Sequence, residues 1–178
     1  MKRVEIYPLY FISNFKGECI NMKQFLTVGI KEIIKDKWVY IKNIQYSNKP
    51  SGGLWSIEYT PNEEFKSAWL EWFDSEMPDW AKNYGVLFEL KKDAKVYTID
   101  SYKDLENIYN KYPIENKTKV IDYEKVSKEY DAIILTDKGQ CETGISIINL
   151  YGWNCENILI MNFDCIINSK YILNFRMC

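Results

Sequence analysis

The sequence predicts a single α+β domain, and three observations carry that reading. Segments with strand character outnumber those with helical character, the helical segments are short, and no regular strand–helix–strand alternation of the kind that builds a doubly wound parallel sheet is present. With 178 residues and 47% apolar side chains, the chain can bury a core without disulfide or metal staples. No internal repeat, low-complexity tract or linker divides it, so residues 1–178 read as one unit.

The elements follow in order. Residues 4–13 are rich in β-branched and aromatic side chains and predict a first strand, edged or interrupted by Pro8. Residues 21–37 predict a helix, with Phe25, Val28, Ile30, Ile33 and Ile34 as a rough stripe at helical spacing and Gly29 against it. Residues 38–44 alternate and predict a second strand. The turn Ser47-Asn48-Lys49-Pro50-Ser51-Gly52-Gly53 then leads into another over 54–59. Thr60-Pro61-Asn62-Glu63 reads as a helix start, with a capping residue, a proline at the first helical position and an acid in the first turn. That helix would carry Phe65, Ala68, Trp69 and Trp72 on one face. Residues 86–90 and 94–100 predict strands around a Lys91-Lys92-Asp93 turn. Ser101 caps a helix running to Tyr112, and Asp122 caps another to Tyr130. A strand over 132–136, a turn at Asp137-Lys138-Gly139, a strand over 157–163 and a last strand over 171–175 complete the chain.

Composition removes several classes of function. The net charge is −2 with both signs mixed, which lacks the broad basic footprint of a nucleic-acid binder. The absence of histidine excludes Ser–His and Cys–His catalytic pairs and histidine-containing zinc sites. Five cysteines with no C-x-x-C spacing and no preceding secretion signal point to reduced thiols and a cytoplasmic location. No apolar stretch reaches membrane-spanning length and no side-chain cluster has metal-ligand spacing, so neither a membrane nor a metal is implied. The 14 tyrosines and six tryptophans join large apolar faces to polar edges, a combination suited to pockets and interfaces.

Three segments stand out together. They are Lys49-Pro50-Ser51-Gly52-Gly53-Leu54-Trp55-Ser56, followed by Lys66-Ser67-Ala68-Trp69; Tyr151-Gly152-Trp153-Asn154-Cys155-Glu156, running into Asn157-Ile158-Leu159-Ile160-Met161-Asn162; and Leu9-Tyr10-Phe11-Ile12-Ser13. In this order they resemble the ADP-ribosyltransferase superfamily. There a Gly-x-aromatic-Ser/Phe strand precedes a helix bearing Ser-x-x-aromatic, and a single Glu later opens a strand near the C-terminus. The segments are also similar to bacterial and phage proteins sharing a Lys-Pro-x-Gly-Leu-Trp loop and a Tyr-Gly-Trp-Asp-Cys-Glu segment. The resemblance implies split antiparallel β-sheets with short flanking helices and NAD as co-substrate. It implies transfer of ADP-ribose to a macromolecular acceptor, protein or nucleic acid, by a glycosyltransferase-class enzyme acting as a toxin, phage-defence or counter-defence factor. Glu156 is then the catalytic residue, and Tyr10, Ser13, Lys49, Gly53, Leu54, Trp55, Ser56 and Trp69 are the co-substrate contacts.

These residue types suit that chemistry. Aromatic faces at Trp55 and Trp69 favour a flat cationic nicotinamide ring. Gly52 and Gly53 let the backbone approach a ligand closely. Lys49 would neutralise a phosphate. The Glu156 carboxylate would hold a ribose hydroxyl, stabilise positive charge as nicotinamide leaves and orient the acceptor.

Two departures from the family stand beside this. Its members usually carry His or Arg on the first strand, whereas this chain has no histidine, offers Tyr10, Phe11 and Ser13 there, and has Arg3 earlier. Gln140-Cys141-Glu142 also fits the Gln-x-Glu pattern of arginine-modifying members, but Glu156 is preferred because it immediately precedes an apolar strand while Glu142 sits in a polar turn. Plainer readings exist too: a generic turn at 49–53, packing roles for Trp72 and Trp153, a structural thiol at Cys155 and a solvated strand-end charge at Glu156. The competing functions are a non-catalytic nucleotide- or protein-binding module on the same fold, and NAD glycohydrolysis with water as acceptor.

Overall fold

Pairing with a neighbouring strand on each side, not the helical stripe, decides the first described element. The computed structural model describes residues 23–45, 47–60, 67–76, 82–117, 119–150, 152–153 and 155–173. The strand expected over 4–13, with Tyr10 and Ser13, lies outside them, as do residues 61–66, Tyr151 and Asn154. The described strands are β1 (Gln24–Val28), β2 (Leu54–Tyr59), β3 (Tyr84–Leu90), β4 (Val96–Ile99), β5 (Ala132–Leu135), β6 (Asn157–Ile160) and β7 (Ile166–Leu173). The described helices are α1 (Ala68–Glu76), α2 (Tyr102–Lys111), α3 (Tyr123–Val126) and α4 (Asp137–Thr143).

These make a seven-stranded sheet of order β4-β5-β6-β2-β1-β3-β7 with short helices, the α+β class that the sequence predicts. The sheet is mixed rather than wholly antiparallel, because β4 and β5 run parallel. Parallel neighbours require a crossover, which α2 and α3 supply between them. The remaining pairings are antiparallel. β2 joins the two halves by its opposite ends: Ile57, Glu58 and Tyr59 pair with β1, whereas Leu54, Trp55 and Ser56 pair with β6.

Register and the two-residue period assign the side chains to faces. One face, the helix face, carries Leu26, Trp55, Ile57, Tyr97, Ile99, Ile133, Leu135 and Leu159. At the β4–β6 end it is covered by Leu105 and Ile108 of α2, Tyr123 and Val126 of α3, and Ile148, Leu150 and Trp153. At the β1–β2 end Trp69 and Leu70 of α1 close over Leu26 and Ile57. The second face carries Phe25, Phe88, Ala132, Ile134, Ile158 and Ile160, packed with Ile33, Trp38 and Cys165.

Several elements differ from the sequence-based expectation. The helix expected over 21–37 is β1 followed by an irregular run with one 3-10 turn over Lys35–Lys37. Phe25, Leu26 and Thr27 are all buried because β1 is covered on both faces. A strand covered on both faces places apolar residues at helical spacings by coincidence. Gly29, at φ +82, ends it. Residues 38–44 form no strand: Lys42 makes an isolated bridge with Ser51, the Val39 carbonyl accepts from the Gly53 N–H, and Asn43 bonds to Asp122 and Glu124; Val39 and Tyr40 are exposed while Ile41 is buried. Asp137-Lys138-Gly139 is not a turn but the first turn of α4, capped by Thr136, whose hydroxyl accepts from the Gly139 N–H. α3 is shorter than expected, and the last strand begins at Ile166 rather than at 171. The strand over 54–59 and the Ser101-capped helix occur as expected. Among the described residues no helix is long and apolar enough to cross a membrane.

Candidate functional site

The loop before β2 is pinned at its base. Asn48 is buried, its Nδ2 donating to the carbonyls of Lys119 and Asn149 and its Oδ1 accepting from the Ile121 N–H. Its own carbonyl accepts from Trp153 Nε1 at 2.7 Å, so the two loops that carry the sequence motifs are tied directly together. Gly52 and Gly53 sit at φ +81 and +65. A Cβ on Gly53 would lie 2.5 Å from the Ile160 carbonyl oxygen, so this glycine serves the approach of β2 to β6. Leu54 packs into the second-face core.

Trp55 and Trp153 meet edge to face at 4.8 Å between ring centroids. Trp153 is 1% exposed, which bears out its reading as a packing residue. The Lys49 ammonium lies 5.3 Å from the centre of the Trp55 ring, a geometry that holds a cation over a π face. Lys49 has no ion pair among the described residues, and burial lowers its pKa, opposed only by the nearby Cys155. Burial, with Glu156 adding to it, pushes the Cys155 thiol up to about 12, and burial does the same for Cys165. Both are thiols rather than thiolates at neutral pH and are not poised as nucleophiles. Iodoacetamide at neutral pH should therefore modify exposed Cys141 and spare Cys155 and Cys165 until denaturant is added, as read by peptide mapping.

Glu156 is held in place from two directions. Asn157 donates its Nδ2 to the carbonyls of Trp153 and Cys155, at 3.0 and 2.8 Å, which curls the chain immediately before the glutamate. Ser67, 7% exposed, accepts the Trp69 N–H through its hydroxyl oxygen and donates that hydroxyl to Glu156 Oε1 at 3.0 Å. The serine thus starts α1 and orients the carboxylate together. Glu156 Oε2 is buried and has no hydrogen-bond partner among the described residues. This carboxylate is not a solvated strand-end charge. Removing the Ser67 hydroxyl would leave a second oxygen unpaired, so Ser67→Ala should cost about 1–3 kcal/mol in urea unfolding, including the lost helix cap.

Beside Glu156 lies a cleft of about 220 Å³ on the second face, floored by Phe25, Ile134 and Ile158 and bordered by Glu58, Asp137 and Lys23. Lys23 pairs with Glu58 at 2.7 Å.

The other candidate residues are packed with partners of their own. Ser56 is fully buried on the second face, its hydroxyl sharing a 2.5 Å hydrogen bond with Thr27. Trp69 packs in the α1 cluster and Trp55 in the larger one, so the two rings expected to flank a single nicotinamide belong to different clusters. Glu142 is in α4 rather than in a turn, and its Oε2 accepts the Tyr102 N–H at the start of α2. That capping contact gives Glu142 a structural task, whereas Glu156 lines the cleft together with Glu58 and Asp137. Sequence reasoning misses Thr27, because β1 carries apolar residues at helical spacing, and misses Asp137, because Asp137-Lys138-Gly139 has the composition of a turn. It also named Ser67 only as part of a helix motif, with no means of pairing it with a residue 89 positions away. Comparison of the chain with protein-family models, with curated proteins and with solved structures finds no match.

Proposed function

We propose that the chain binds NAD and transfers its ADP-ribose to a macromolecular acceptor, with Glu156 as the catalytic carboxylate. The observation that carries this reading is the Glu156 side chain itself: one oxygen fixed by Ser67, the other buried and unpartnered. A buried carboxylate oxygen without a donor is costly, and a ribose hydroxyl is a donor of the right kind. The placement of the motif strands supports the same reading, since the Gly-Leu-Trp-Ser strand β2 pairs directly with β6, which Glu156 precedes.

NAD supplies an N-glycosidic bond activated by its cationic leaving group. Glu156 Oε2 accepts the ribose hydroxyl, and its negative charge offsets the positive charge that develops on the sugar as the bond lengthens. Ser67 keeps the carboxylate from rotating away from that position. Lys49, held over Trp55 and lacking a carboxylate partner among the described residues, is the group offered to a phosphate. Trp55 then acts by positioning the lysine.

Binding without turnover is the second reading, favoured by one observation: the chain has no histidine. Incubation with NAD labelled in the adenosine part, in the presence of cell extract, tests both. The expected result is release of nicotinamide and transfer of label to protein or nucleic acid. Release with label remaining in solution makes water the acceptor. Saturable NAD binding with no release, by a folded protein, establishes the second reading instead.

A further inference from the structure

We propose that the cavity at the far end of β6 from Glu156 binds a nucleotide through its base and a terminal phosphate. The cavity measures about 310 Å³ and is lined by the rings of Trp38, Tyr40 and Phe163 together with buried Ile41 and Met161. That volume lies at the lower end of the ~300–1,000 Å³ of small-molecule pockets and suits one base with its phosphate. Its place is separate from the carboxylate. Glu156 precedes β6 and Met161 follows it, so the four residues of that strand, each rising ~3.3 Å, lie between them. Neither Glu156 nor Lys49 is among the residues that line it.

The rings suit a flat guest. Trp38 and Phe163 meet edge to face at 5.6 Å between centroids, which holds each in place. The Lys35 ammonium lies 5.7 Å from the centre of the Phe163 ring and 2.7 Å from Asp164, so the same wall is braced by an ion pair. Tyr40 is different: it is 77% exposed, although its neighbour Ile41 is buried. A large ring left in solvent on a cavity that two other rings already line is a platform on which a base can stack.

Charge sets what the flat guest carries. Lys35 and Lys128 line the cavity against a single acid, Asp164, which is already paired with Lys35. Lys128 has no ion pair among the described residues. The uncompensated charge is therefore positive, and a lysine ammonium binds phosphate as a point charge. Ser127, also in the lining, donates its hydroxyl to the Glu124 carbonyl, which leaves its oxygen to accept from a sugar hydroxyl. An aliphatic anion would answer Lys128 and leave the rings unused. A neutral ring would stack without using Lys128, and a cation would meet two like charges. A base joined through a sugar to a terminal phosphate engages the rings, the serine and the lysine together.

This inference requires neither NAD cleavage nor transfer chemistry. The full chain, labelled for amide NMR, is titrated with adenosine monophosphate, with adenosine and with inorganic phosphate. The expected result is saturable shifts at Tyr40, Ile41 and Phe163 with the monophosphate, binding of adenosine weaker by about tenfold, and no shift at Tyr40 with phosphate alone. Tyr40→Ala should weaken nucleoside and nucleotide alike, by about five- to tenfold. Lys128→Gln should weaken the monophosphate alone, by about three- to tenfold. Both side chains are exposed, and a dispersed spectrum reports that each variant is folded. An oligonucleotide with a terminal phosphate that binds more tightly than the monophosphate places the guest at the end of a strand; weaker binding makes it a free nucleotide. Equal binding of adenosine, absence of shifts at Tyr40, Ile41 and Phe163, or indifference to both substitutions would overturn the proposal. NAD that shifts these residues as strongly as the monophosphate would make the cavity part of the NAD site and overturn it as a separate one. Failure of nicotinamide release would leave this result standing, and loss of monophosphate binding would leave the NAD reading standing.

Discussion

Glu156→Gln should reduce nicotinamide release by about 10²–10³-fold, the scale seen when one group that stabilises developing charge is removed. Glutamine preserves volume and leaves an oxygen to accept the Ser67 hydroxyl, so the 3.0 Å contact that orients the side chain has a replacement. What is lost is the negative charge and one acceptor. The loss should therefore fall on turnover while the unfolding midpoint in urea moves little, or rises slightly as a buried charge is neutralised. Glu142→Gln is the matched control. Its carboxylate caps the first turn of α2, so that variant should lose at most about 1 kcal/mol of stability and retain full release. Full release by Glu156→Gln would remove the catalytic assignment. Loss with Glu142→Gln alone would move the assignment to α4.

How much of this was legible beforehand depends on whether the deciding contact is local. The strand over 54–59 and the Ser101 cap could be read because alternation and capping are properties of a few adjacent residues. β1 could not, because Phe25-Leu26-Thr27-Val28 owes its conformation to β2 and β3 on either side, and a strand covered on both faces lacks the polar alternation that marks a half-exposed one. α4 was hidden for a related reason. Gly139 looks like a turn residue, yet its missing side chain is what lets the helix sit directly on the Ile99 carbonyl at the end of β4. Glu156 was singled out from its place before an apolar run, but the features that distinguish it, a serine 89 positions earlier and an unpartnered oxygen, exist only after folding.

Gly53→Ala should destabilise the protein by more than about 3 kcal/mol, the sum of a left-handed backbone and a steric clash that the backbone cannot relieve cheaply. The residue sits at φ +65, and its Cβ would lie 2.5 Å from the Ile160 carbonyl oxygen and 2.9 Å from methyl carbons of Ile41 and Leu159. Gly29 separates the two contributions. Its φ is +82, yet the nearest atom to its Cβ would be a Lys82 methylene at 3.8 Å, so Gly29→Ala carries the backbone cost alone, about 1–2 kcal/mol. The difference between the two urea midpoints, at unchanged m-values, measures how tightly β2 must approach β6. A Gly53 variant no worse than the Gly29 variant would mean that the strands separate easily there. The sequence reading gave Gly53 a place against the ligand, and loss of activity on its substitution would look like support for that role. It is not, because β6 is the strand that Glu156 precedes: any substitution that pushes β2 away from Ile160 also disturbs the carboxylate's geometry relative to Ser67. Only a Gly53 variant that kept its stability and lost NAD binding would assign this glycine to the ligand.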